Sequence, residues 1–412
     1  MSLAAEPTSP APAATDSASP RRPLGRVVIA TVNRPEGDTG VHTHTRMLTA
    51  GLRAAGVACD VVSALDAGKK WYPVFAVRPL LLHRINKTWS TLWHQRWHAA
   101  ALREALLRDV RRQPPDVVVA QDPVSARAAL DVRARVGGKF PVVLVCHFNR
   151  SEADEYRDKG ELAVRARYEE MLAGEDRVLR EVDRAIYVSN WARQTVEQSR
   201  GVTPRAASVI WNGIGDADHT PAAPLSRAQL GLGDDDLVLI NVGSLEPRKN
   251  QLGLLELFAA VRNTHPSAKL VLVGDGPARR EIEQAIADQR LGDSVLLLGH
   301  RRDVPAILPL ADLYVHYATL ENCPLVLIEA ARAGMPFAAI PAGGVPELQA
   351  ALDCRYEVGP QDLRRSAETI RPLLDSADAR RAAGARARAK FESTFSLPAM
   401  TRAYIEALSA SL

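Results

Sequence analysis

The second half of the chain repeats a pattern that few folds accommodate: an apolar run, a glycine turn, then a helix-spaced stretch. The run 237–245 breaks into Gly243-Ser244-Leu245-Glu246-Pro247-Arg248-Lys249-Asn250. Leu252, Leu254, Leu255, Leu257, Phe258 and Val261 then recur at helical spacing. A second run, 270–273, precedes Gly274-Asp275-Gly276-Pro277, and a third, 294–299, precedes His300-Arg301. A fourth covers 313–317, and a further one, 336–341, runs into Gly343-Gly344-Val345-Pro346-Glu347. Strands buried on both faces read as continuous apolar sequence, the mark of a parallel sheet covered by helices. The alternation therefore predicts βαβ units and an α/β fold.

Just past the run 313–317 the chain reads Glu321-Asn322-Cys323-Pro324-Leu325, and seven residues separate Glu321 from Glu329. Pro324 suits the first turn of a helix, where its missing N–H would be unpaired anyway. This puts Glu321 in the loop at a strand's C-terminal end and Glu329 just inside the next helix. Open α/β sheets bind ligands at that edge. Two glutamates at this spacing are common on surface helices, so the neighbours decide the matter. Arg248, Lys249 and the glycine turns gather on the same loop side, as a phosphate-bearing ligand requires.

The N-terminal half follows the same rule. A strand at 26–32 leads into a loop ending Thr39-Gly40-Val41-His42-Thr43-His44, and a helix continues through Met47, Leu48 and Leu52. Further strands are expected near 58–63, 116–121, 141–147 and 184–189, giving a second doubly wound domain. At 412 residues two domains are the natural expectation. We place an N-terminal domain at 24–211, a second at 212–394, and a final helical segment at 395–412.

With these pieces in order, residues 237–350 resemble the donor-binding half of the retaining, family-4 (group 1) GT-B glycosyltransferases. That family carries a Glu-x7-Glu motif, a basic glycine-containing loop, a Val-Gly-Asp-Gly-Pro turn and Gly-Gly-x-Pro-Glu, and all four occur here in sequence. The N-terminal half resembles it more loosely. Gly40 is kept from the family's Gly-Gly loop while Thr39 replaces its first glycine. His147 resembles the strand-end histidine, Ser189 the serine-bearing strand, and Asn212-Gly213 the interdomain linker.

The resemblance implies two Rossmann-like domains facing a cleft and transfer of a hexosyl group from a UDP- or GDP-sugar to a glycan, lipid-linked or small-molecule acceptor. It implies that Lys249 and Arg248 neutralise the leaving diphosphate, fixed cations aimed at charge that develops in the transition state. Glu329 would accept from the ribose hydroxyls, as a carboxylate can from a vicinal diol. Glu321 would contact sugar hydroxyls, beside backbone N–H groups from Leu320, Asn322, Cys323 and Leu325 around Pro324. Asn322 stands where many relatives have glycine, and Ser244 where they have arginine. Gly40, Gly243 and Ser244 line the donor, His300 lies beside the base, and Gly343 and Gly344 can expose N–H groups to the ligand. His147 would touch the sugar from the N-terminal side, with His42 and His44 as weaker candidates.

No metal or other cofactor is expected. Asp234-Asp235-Asp236 precedes a strand and reads as a solvated loop. Cys59, Cys146, Cys323 and Cys354 show no zinc or disulfide spacing. A net charge of +4 over 52 basic and 48 acidic residues is too small for a dedicated nucleic-acid binder. No apolar stretch is long enough to span a bilayer. Residues 1–23, rich in Pro, Ala, Ser and Thr, read as a disordered tail and not a signal peptide, so the expected location is cytoplasmic.

One stretch does not follow from the fold. From Lys69 to Arg103 there are aromatic and basic residues but no acid, and Trp89, Trp93 and Trp97 recur at helical spacing. One reading is a contact at the inner membrane surface, with cations toward anionic lipid. The other is a domain helix that buries its tryptophans. Two rival functions stay open as well: a nucleotide-sugar epimerase on the same architecture, and a catalytically impaired partner subunit, the latter because of Ser244 and Thr39.

Overall fold

The computed structural model describes residues 23–34, 37, 39–77, 81–215 and 225–412. Most of the expected tail lies outside them. Two six-stranded sheets, parallel throughout, organise the chain. The first has the order β2-β1-β3-β4-β5-β6, with β1 Arg26–Thr31, β2 Ala58–Ser63, β3 Val117–Ala120, β4 Val142–Cys146, β5 Arg184–Tyr187 and β6 Ala207–Val209. The second has the order β12-β11-β10-β7-β8-β9, with β7 Leu237–Val242, β8 Ala268–Val273, β9 Val295–Gly299, β10 Leu313–His316, β11 Phe337–Ala339 and β12 Tyr356–Glu357. Every residue of β1, β3, β4 and β10 is buried, the physical reason these strands appear as unbroken apolar runs.

In the second sheet the chain winds outward through β7, β8 and β9, then returns to place β10 on the other side of β7. The direction of winding reverses between β7 and β10, the switch point at whose crevice open α/β sheets bind ligands. Those are the loops carrying Lys249 and Glu321. In the first sheet the reversal falls between β1 and β3, whose following loops carry Gly40 and Gln121.

The C-terminal helix Leu397–Ser409 packs on the helix Gly40–Ala54 of the first half. Ile214 pairs with Ser396 in an isolated bridge, so the outgoing and returning chain segments lie side by side. One hydrophobic cluster runs through this junction, including Met47, Leu48, Ile214, Met400 and Tyr404 together with Ile328 and Val345.

Candidate donor site and interdomain cleft

Lys249 ends a 3-10 turn, Pro247–Lys249, and Asn250 follows in the left-handed region at φ 54°. Asn250 then caps the helix Gln251–Arg262 by accepting from Gly253 N–H at 3.3 Å. The Arg248 carbonyl accepts from Thr319 N–H at 2.9 Å, which ties this turn to the loop after β10. The two cations therefore have fixed backbones, and they converge. Lys249 Nζ is paired with Glu321 Oε1, and Arg248 Nη1 lies 3.1 Å from the same oxygen. Arg248 also donates to the Leu320 carbonyl at 2.9 Å and pairs with Glu246 at 3.0 Å. Burial pushes the Glu321 carboxyl up, but Lys249, His316 and Arg248 outweigh it and hold it below the usual range. Arg248 thus reaches Glu321 although the chain has Ser244 where the family pattern has arginine.

Pro324 is the N-cap of the helix Leu325–Arg332, one residue earlier than the sequence reading, with ψ at 115°. Glu329 is consequently the fifth helical residue, past the first turn, and is half-buried. Gly343 and Gly344 pack against the Glu321 loop, and the Gly344 N–H is used within the chain. Gly344 N–H donates to the Glu321 carbonyl at 2.9 Å, and a Cβ on Gly343 or Gly344 would collide with the Glu321 or Asn322 carbonyl. Gly343 also has φ 66°. The pair packs backbone on backbone and so fixes the Glu321 loop. Of the other expected donor residues, Ser244 and His300 are exposed, Gly243 N–H bonds to the Val273 carbonyl at 2.9 Å, and Cys323 is buried. Gly40 faces Leu325 across the domains, since a Cβ there would lie 3.7 Å from the Leu325 side chain. Asp236 ties down its own loop through Gly233 N–H, at the sheet edge opposite Lys249.

The N-terminal domain meets this loop with several side chains. Asn322, 4% exposed, donates to the Phe148 carbonyl at 2.9 Å and takes the Ser189 hydroxyl on its oxygen. Its side chain is thus anchored between domains. Glu347 accepts from Asn190 N–H at 2.9 Å and from Trp191 N–H, capping a short helix of the other domain. His147 is half-buried, and its Nε2 lies 2.9 Å from Gln121 Oε1. Burial, then the neighbouring His44, push its pKa well down.

The His44 ring stands edge-on to His147, with centroids 4.6 Å apart. Asn212 donates to the Cys323 carbonyl at 3.3 Å, which leaves its amide oxygen toward His44 Nδ1 at 3.0 Å. His44 Nδ1 therefore donates, and Nε2 accepts from the Tyr404 hydroxyl at 3.2 Å. Burial pushes His44 down to about 4, opposed by the Asn212 bond. This junction of helix, linker, donor loop and C-terminal helix was not readable as a site from the sequence. Its members are 168 and 360 residues apart, and only their separate motifs gave a signal. His316 is a further surprise: it is 2% exposed at the end of β10, and neither ring nitrogen has a hydrogen-bond partner among the described residues.

Two facing doubly wound sheets, a cation-bearing crevice on one and a histidine on the other, define a GT-B architecture, and solved structures share it. Anabaena HepE in complex with UDP superposes with TM-score 0.69 at 19% identity, covering 94% of this chain and 100% of that one. Sucrose-phosphate synthase from Thermosynechococcus elongatus gives TM-score 0.72 at 22% identity with the same coverage. Residues 223–390 match the family Glycosyl transferases group 1, and residues 39–217 match Glycosyltransferase Family 4. The chain belongs to the group 1, family 4 glycosyltransferases. The phosphatidylinositol N-acetylglucosaminyltransferase GPI3 subunit of Saccharomyces cerevisiae is 29% identical over 41% of this chain and 38% of its own length. The N-acetyl-alpha-D-glucosaminyl L-malate synthase of Bacillus anthracis is 32% identical over 39% and 42%. The matches thus span less than half of these relatives.

Proposed function

We propose that this protein transfers a hexosyl group from a nucleoside diphosphate sugar to an acceptor hydroxyl with retention of anomeric configuration, and that it does so without a divalent metal. The observation that carries the reading is the convergence of Lys249 and Arg248 on Glu321 at the β7/β10 crevice, opposite His147. Two fixed cations suit a departing diphosphate, whose negative charge grows as the glycosidic bond breaks. In that role Lys249 and Arg248 replace a metal ion, Glu329 holds the ribose, and Glu321 orients the sugar. Closure of the two domains around the donor would exclude water and limit hydrolysis. Between uridine and guanosine we favour UDP. A galactosyltransferase of Escherichia coli, 33% identical over 159 residues, is named for UDP-Gal, and HepE was solved with UDP. The acceptor is a glycan, a lipid-linked sugar or a small molecule.

A second reading, a catalytically impaired partner subunit, draws on Ser244 and Thr39 and on the yeast relative's name as a subunit. The arrangement of Lys249 and Arg248 weighs against it. A panel of UDP- and GDP-sugars, scored for thermal stabilisation and for slow hydrolysis without acceptor, separates the two. Hydrolysis of one donor with EDTA present supports the transferase. Stabilisation by a donor with no turnover across a broad acceptor panel supports the subunit.

A further inference from the structure

We propose that the face formed by Tyr72, Leu81, Ile85 and Trp89 docks the protein onto an anionic lipid surface. Four of the seven exposed large apolar side chains among the described residues fall here, Ile85 at 71% and Trp89 at 68% exposure. Single exposed apolar side chains are ordinary, but such a concentration on one short segment marks a contact surface.

The structure divides the aromatic stripe that the sequence presents as one. Trp93 and Trp97 turn inward: their rings are 5.5 Å apart, Trp97 lies 6.3 Å from Trp71, and Trp71 stacks on Phe75. Trp93 Nε1–H donates to the Val74 carbonyl at 3.0 Å and Trp71 Nε1–H to Glu104 at 3.1 Å. Those four rings anchor the segment Lys69–Val77 to the helix Lys87–Arg112. Trp89 sits one turn before Trp93, in the first turn of that helix, beyond the reach of this cluster. Asn86, the helix N-cap, is in extended conformation and breaks the chain direction after the turn His83–Ile85. Leu81, Ile85 and Trp89 are left on a projecting corner.

Charge selects the occupant. Lys69, Arg84 and Lys87 are exposed and have no ion pair or side-chain hydrogen bond among the described residues, while Lys70 is held by Glu104 at 2.6 Å. With no acid between Lys69 and Arg103, the face combines protruding apolar side chains with solvated cations. This is the composition that partitions into the headgroup region of an anionic leaflet. A peptide partner would call for a groove, and these side chains protrude. Topology adds the direction. β2 ends at Ser63 on the cleft side of the sheet, where Asp66 and Trp71 meet Arg108 and Glu104 of the helix Lys87–Arg112. The helix then runs on toward the start of β3, so Trp89 projects beyond the edge that also carries His147. If the proposed transfer holds, an acceptor lodged in the bilayer interface meets the cleft without leaving the surface. The docking itself does not depend on that reading.

The test is flotation of the full chain with vesicles of phosphatidylcholine alone or mixed with phosphatidylglycerol. Binding to the mixed vesicles, weakened by salt, is expected. Lys69→Gln/Arg84→Gln/Lys87→Gln should lower it ~10-fold or more, and Ile85→Ser/Trp89→Ser should abolish it. Both variants should keep the wild-type melting temperature within a few degrees and the wild-type donor hydrolysis. A wild-type protein that ignores anionic vesicles overturns the proposal. So does Trp89→Ser unfolding the domain, or a dimer that only Ile85→Ser/Trp89→Ser dissociates, since the face would then belong to the core or to a second copy. Loss of hydrolysis with docking intact would sink the transferase reading alone.

Discussion

Glu321 holds Lys249 and Arg248 on a single carboxylate oxygen, so the charge of the two cations is partly offset by a side chain of the protein itself. A diphosphate entering there has to draw both cations away from Glu321. Replacing Glu321 with Gln removes the competing charge and leaves a side chain of the same shape. We expect Glu321→Gln to bind UDP ~5-fold more tightly, about 1 kcal/mol, while sugar transfer falls because the proposed sugar contact is weakened. Calorimetric titration with UDP checks this. Weaker UDP binding would mean that Glu321 positions the cations instead of restraining them.

Lys249→Ala should lower turnover by ~10²-fold or more, the usual cost of one lost partner of transition-state charge. Single-turnover rates with saturating donor are the measurement. Arg248→Ala should cost less, because Arg248 also serves Glu246 and the Leu320 carbonyl. Near wild-type turnover in Lys249→Ala would remove that residue from the phosphate site.

Much of this arrangement was legible because parallel strands announce themselves. All ten runs expected from sequence overlap observed strands within a few residues, since most of these strands are buried on both faces. β6 and β12 are short edge strands that are not fully buried, so they leave no continuous apolar run. Lys249, Arg248 and Glu321 were readable because their loops leave adjacent strands. The Asn322 anchor was not, because its partners Ser189 and Phe148 come from the other sheet. The tryptophan stripe misled for a related reason: helical spacing shows which residues share a face, but the ring cluster that takes up Trp93 and Trp97 comes from a different segment.

Glu329→Gln should weaken UDP binding if Glu329 holds the ribose as proposed, and should leave the melting temperature near wild type, because the residue is only half-buried and the substitution keeps its shape. The proposed bond to the ribose loses its charge and roughly half its strength. Equal UDP and GDP affinities in variant and wild type would place the ribose elsewhere.

Asn322→Ala removes two bonds to the N-terminal domain, each worth about 1 kcal/mol. The expected outcome is a modest loss of stability and a larger loss of kcat/KM, since in the proposed reaction closure of the two domains would position the acceptor. Ser189→Ala should be non-additive with it, because the two share one bond. Strict additivity in a double-mutant cycle would show that the hydroxyl and the amide act separately.

The His44 junction predicts a pH signature. Burial holds the folded His44 at about 4, while an unfolded histidine titrates near ~6.5. Between those values the unfolded chain binds more protons, so this group makes stability rise with pH from about 4 to ~6.5 and contributes nothing further above that. The full effect is on the order of 3 kcal/mol. His316, also held at about 4, acts in the same direction. Glu175, pushed up to about 8 by burial, acts oppositely, since its folded form keeps a proton that the unfolded form loses. The wild-type curve is therefore a sum, and only a difference isolates His44. His44→Gln keeps a donor toward Asn212 and cannot be protonated. At pH 7.5 it should be less stable than wild type by ~1–2 kcal/mol, from imperfect bonds to Asn212 and Tyr404. That gap should shrink steadily below pH 6.5 and vanish or reverse near pH 4, read by denaturant melts at each pH. A gap that stays constant across the range would mean His44 takes up its proton in the folded state, with the bond from Tyr404 already lost.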